Sequence, residues 1–85
     1  MKMLDEPILE QLPRDVEQLS RWVEKLARTP VSMRRTERFL RERGRARRKL
    51  EALKREARRL LAAGYDLPEE VVEKLVEADR ALSSL

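Results

Sequence analysis

Seven arginines recur at helical spacing through the middle of this chain: Arg34, Arg38, Arg41, Arg45, Arg48, Arg55 and Arg59. At about 100° per residue they fall within roughly 100° of arc on one helix. A guanidinium meets a phosphate or carboxylate through a planar fork of donors, and it stays charged at every relevant pH. Aligned cations of this kind hold a phosphate backbone through counterion release and need no base contacts. Arg34 and Arg35, near the start of a helix, are also placed to reach base edges in a major groove. The expected nucleic-acid contacts are Arg34, Arg35, Arg38, Arg41, Arg45 and Arg48, with phosphate positioning as their role.

The charge around these arginines is strongly uneven. Residues 34–59 carry thirteen basic and four acidic side chains, net +9, while residues 1–33 are net −1 and residues 60–85 net −4. Two i, i+4 pairs, Glu37 with Arg41 and Glu51 with Arg55, have the favoured order. Glu70, Glu73 and Glu77 could lie beside Lys54 or Arg58. Even so, four local acids cannot cancel thirteen bases. The block therefore points to an anionic partner: nucleic acid first, an acidic protein surface second. A solvated or internally paired face is the competing explanation. An anionic membrane surface is the weakest reading, because the apolar side lacks aromatic anchors.

Catalysis has little to work with. The chain has no His and no Cys, so none of the hydroxyls of Ser20, Ser32, Ser83, Ser84, Thr29, Thr36 and Tyr65 has the usual activating base. The same absences exclude a disulfide framework and a Cys/His zinc site. Neighbouring acids, Asp15 with Glu17 and Glu69 with Glu70, read as solvated helix-surface pairs. The only glycines are Gly44 and Gly64, so there is no phosphate-binding loop. The expectation is a non-enzymatic binding protein with no cofactor, metal or small-molecule substrate.

Every element needed to position the arginines reads as helix. Leu4, Ile8, Leu9 and Leu12 form a first stripe, over about 5–12, with Asp5 as its cap. Pro13 then opens a second helix to about residue 28, with Val16, Leu19, Val23 and Leu26 inward. Thr29-Pro30 signals a new start, with Ser32 as an alternative cap. From there positions 36, 39, 43, 46, 50, 53, 57 and 60 keep an alternating three–four spacing, interrupted only by Arg43. One long helix over 30–63 is expected, about 50 Å in length; a corner at Gly44 is the alternative. Gly64 ends it, and Asp66 with Glu69 reads as a capping box for a last helix over 67–82. The fold class is all-α: a small three- to four-helix bundle on a long central helix, one domain over residues 1–85.

In that arrangement the flanking helices would each cover one half of the long helix. The core would be thin, so a second copy of the chain is an expected partner. Trp22, at the edge of its stripe, and Phe39 are the candidate interface residues. The runner-up function is accordingly a protein–protein interaction or oligomerisation module. Arg outnumbers Lys fifteen to five, and Asn is absent. That bias suits both a thermophile protein and an idealised designed bundle. No apolar run is long enough to span a bilayer, and the first residues turn acidic at once, unlike a signal peptide. The expected compartment is the cytosol, with no membrane partner.

Residues 16–43 resemble a helix-turn-helix: a helix, the Thr29-Pro30-Val31 turn, and a second helix carrying Arg34, Arg35 and Arg38. The resemblance implies that the second helix enters a major groove. It covers about a third of the chain and lacks the usual turn glycine.

Overall fold

The computed structural model describes residues 6–85, with side chains from Glu10 onward. The cap expected from Asp5, the side chains of Leu4, Ile8 and Leu9, and the acidic start lie outside the described residues. Three α-helices make up the fold: α1 (Glu6–Ala27), α2 (Glu37–Ala62) and α3 (Glu69–Ser83), with a 3₁₀ turn at Val31–Met33 between the first two.

Pro13 does not divide α1; it lies inside one continuous helix. Proline deletes one helical hydrogen bond and strains its turn, at a cost of about 3 kcal/mol. The apolar stripe holds its phase across that point, and Leu12, Val16, Leu19, Val23 and Leu26 are all buried. Each buried Leu or Val contributes about 1.5–3 kcal/mol, so burying one unbroken stripe outweighs the local cost.

The start of α2 also differs from expectation. Pro30 opens the 3₁₀ turn, its carbonyl accepting from the Met33 N–H at 2.8 Å. Thr36 is the N-cap of α2: its hydroxyl oxygen accepts from the Phe39 N–H at 3.2 Å and donates to the Met33 carbonyl at 3.0 Å. Val31 and Met33 stay 75% and 52% exposed, so extending the helix back to Pro30 would bury nothing more. The inward stripe begins at Phe39 and continues through Ala46, Leu50, Leu53, Ala57 and Leu60. At 1.5 Å per residue α2 is about 39 Å long.

A Schellman motif closes α2. The Tyr65 N–H donates to the Leu60 carbonyl and the Gly64 N–H to the Leu61 carbonyl, both at 3.0 Å, with Gly64 at φ +94°. The capping box expected at Asp66 does not form. Pro68 is the N-cap of α3 and makes no side-chain cap bond. Pro68 disfavours helical geometry at Leu67, which leaves Asp66 two residues outside the cap. Glu69 and Glu70 still complement the helix dipole in the first turn.

All three helix pairs are in contact. Trp22 meets Glu42 at one end of α1, while Gln11 and Asp15 border the same cleft as Glu56 and Arg59 near the other. Asp79 bonds Arg47 and Lys54, and Glu17 bonds Lys74. Hence α2 runs antiparallel to both α1 and α3, which lie side by side. This corrects the expectation that each flanking helix covers a different half of α2. Val71, Leu75, Ala78 and Leu82 of α3 complete a single core with the stripes of α1 and α2. No charged or polar residue is buried among the described residues. α2 thus has both flanking helices along its length, where one for each half was expected.

The helix-turn-helix resemblance is corrected at the same point. Residues 28–36 separate α1 from α2, whereas that motif joins its helices by a turn of roughly 3–4 residues at a steep angle. Here the two helices lie alongside each other.

Candidate nucleic-acid interface

The basic block divides into cations with a structural task and cations without one. Arg34 has such a task. It is half-buried in the turn before α2, where Nε donates to the Thr29 carbonyl at 3.0 Å and Nη2 to the Ala27 carbonyl at 2.9 Å. It caps the exposed carbonyls at the end of α1, where a cation also suits the helix dipole. Arg34, expected among the phosphate contacts, thus directs two of its guanidinium donors to backbone carbonyls.

Three more cations bind α2 to the end of the chain. Arg43 Nη1 donates to the Leu85 carbonyl at 3.1 Å. Arg47 Nη1 lies 2.7 Å from Asp79 Oδ1, and Lys54 Nζ lies 3.4 Å from Asp79 Oδ2. The Arg47 guanidinium and then the Lys54 ammonium hold the Asp79 carboxyl below its usual value. Across α1 and α3, the Lys74 hydrogen bond lowers the Glu17 carboxyl and raises the Lys74 ammonium. These pairs link α3 to both of its neighbours.

The remaining cations face outward. Arg41 pairs with Glu37 at 2.8 Å, Arg59 with Glu56 at 2.8 Å, and Arg45 with Glu42 at a longer 3.8 Å. Such exposed pairs contribute about 0–1 kcal/mol and open readily to a competing anion. Arg35, Arg38, Arg48, Lys49, Arg55 and Arg58 are exposed, and none has an ion-pair or hydrogen-bond partner among the described residues. At about 100° per residue, Arg38, Arg45 and Lys49 lie on the flank of α2 toward α1. Arg41, Arg48, Arg55 and Arg59 follow its outer ridge, and Arg58 lies on the far flank. Arg48 and Arg55 are two turns apart, about 10.5 Å.

Of the expected contacts, Arg38, Arg41, Arg45 and Arg48 thus share the solvent side of α2, and Arg35 sits in the turn before it. Arg55, on the same ridge as Arg48, and Arg58, on the far flank, are also exposed and were not in the expected set. Sequence spacing could place them on the helix but could not say which acids α3 would deliver to which bases. Asp79 goes to Arg47 and Lys54, leaving Arg58 free.

The two interface candidates have separate fates. Phe39 is 5% exposed and belongs to the core, so it is corrected as an interface residue. Trp22 is half-buried against that core, and its Nε1 donates to Glu42 Oε1 at 3.1 Å. Among the described residues, no acidic cluster of three or more could hold a metal ion. No helix among them is long and apolar enough to cross a membrane. Compared with known proteins, the chain matches no family model, and neither a curated protein nor a solved structure proved similar to it.

Proposed function

We propose that this chain is a non-enzymatic, cytosolic protein that binds the phosphate backbone of nucleic acid through the exposed ridge and flanks of α2 and the turn before it. The observation that carries the reading is the set of six exposed cations, Arg35, Arg38, Arg48, Lys49, Arg55 and Arg58, left without partners when the bundle has satisfied its own pairs. Internal neutralisation would have consumed them. Arg41, Arg45 and Arg59 add to the array once their weak surface pairs exchange for phosphate. The helix is the straight scaffold, and its side chains meet phosphates without reading bases.

The test is fluorescence anisotropy with a labelled random-sequence duplex, at about 50 and 200 mM salt. Six or more phosphate contacts predict an affinity loss of about 10³-fold or more over that range. The double variant Arg48→Glu/Arg55→Glu is expected to abolish most of the binding. It should also lower the slope of log affinity against log salt by about two. Absence of duplex binding at the lower salt would rule the reading out.

A further inference from the structure

A groove of about 350 Å³ opens between the end of α1, the 3₁₀ turn and the first turns of α2. Its apolar lining comes from Trp22, Leu26, Met33 and Phe39. Leu26 and Phe39 are buried, whereas Met33 is 52% exposed and forms a lip. Val31 and Leu40, 75% and 44% exposed, put further bare apolar surface at the same end of the bundle. A phosphate array has no use for an apolar floor, so the proposed function leaves this groove unexplained.

The charge around the groove says what would suit it. Lys25 and Arg38 border it, both exposed and both without a partner among the described residues. Glu42 is the only acid in the lining, and it is already engaged. Its Oε1 accepts from Trp22 Nε1 at 3.1 Å, and its Oε2 faces Arg45 at 3.8 Å. That bond also fixes the indole at the groove wall. The opening is thus an apolar cleft with a fixed aromatic wall and a net positive rim. Its volume is near the lower end of ligand clefts, about 300–1,000 Å³, and accepts one or two apolar side chains.

We propose that this groove docks an acidic amphipathic segment of another protein. The segment seats an aromatic or aliphatic anchor against Trp22 and the Met33 lip and sets its carboxylates against Lys25 and Arg38. This is recognition of a helix by a groove, with the anchor supplying affinity and the charges supplying selection. The groove shares Arg38 with the proposed phosphate surface but lies apart from the outer ridge of α2 that carries Arg48 and Arg55.

Trp22 is the only tryptophan, so its emission reports occupancy of the groove directly. The probe is a synthetic Trp-free peptide of about 16 residues, about 24 Å as a helix, with Leu and Phe on one face and Asp and Glu on the other. A saturable blue shift of Trp22 emission is expected. Met33→Glu places a charge on an exposed lip, so circular dichroism should remain helical while peptide affinity falls about tenfold or more. Arg48→Glu/Arg55→Glu should leave peptide affinity within about twofold, because distant sites act independently. Duplex binding should fail in that variant, which separates the fate of this groove from the fate of the phosphate reading. Three results would each overturn the proposal: no emission change, an equal response to poly-Glu or single-stranded oligothymidine, or unchanged affinity in Met33→Glu.

Discussion

A methyl group added at Gly44 would meet only Arg48 Nη1, at 3.9 Å, while one added at Gly64 would meet nothing within 4 Å. Space alone therefore treats the two glycines alike, and the backbone separates them. Gly44 lies inside α2 with ordinary helical φ, where glycine is less favourable than alanine by about 0.5–1 kcal/mol. Gly64 sits at φ +94°, where an L side chain is strained by about 1–2 kcal/mol. Gly44→Ala is thus expected to raise the urea midpoint, and Gly64→Ala to lower it. Measured by chemical unfolding followed by circular dichroism, the two shifts should have opposite sign. A loss of stability in Gly44→Ala would mean that α2 needs flexibility at that turn.

The ends of the helices are where sequence and structure part. The helical class was legible because apolar spacings of three and four persist through all three elements. Which local signal starts each helix was not, because several compete and burial chooses between them. Thr29-Pro30 and Ser32 were the expected starts, and Thr36 caps α2 instead because Phe39 is the first side chain of α2 with a core to enter. Asp66 and Pro68 compete likewise, and the proline's effect on Leu67 decides. The same limit applied to the candidate interface. Spacing put Arg34 on the cationic stripe, but the turn returns its guanidinium to the carbonyls of Ala27 and Thr29. Its role at the end of α1 makes a specific prediction. Arg34→Gln should lower stability by about 1 kcal/mol, the loss of a charged cap that is partly open to water. It should leave duplex affinity close to that of the unaltered chain. An affinity loss as large as that of an Arg48 variant would return Arg34 to the contact set.

At the scale of the whole molecule, charge is sorted by helix. Counting Asp, Glu, Lys and Arg, α1 is net −2, α2 net +7 and α3 net −3. The basic helix therefore lies against two acidic ones, and the field of the molecule presents α2 to a polyanion while turning Glu69, Glu70, Glu73 and Glu77 away from it. This sorting ties stability to pH. Glu17 and Asp79 have carboxyls lowered from ordinary values of 4.5 and 3.8, by Lys74 and by Arg47 with Lys54. A lowered carboxyl binds its proton more readily in the unfolded chain. Its stabilising contribution is complete above those ordinary values and disappears as pH falls through the lowered ones. In acid the twenty Lys and Arg side chains stay charged and repel one another once the carboxylates no longer offset them. The raised Lys74 ammonium acts at the other extreme, keeping its contribution until pH climbs through its raised value, above the ordinary 10.5. Thermal unfolding should thus show a flat midpoint from neutral pH down to about pH 5, then a steep decline. Glu17→Gln/Asp79→Asn should start lower at neutral pH and decline less steeply, because two of the linked protons are gone. Parallel declines in the two proteins would place the acid sensitivity in general repulsion and not in the pairs that link α3 to α1 and α2.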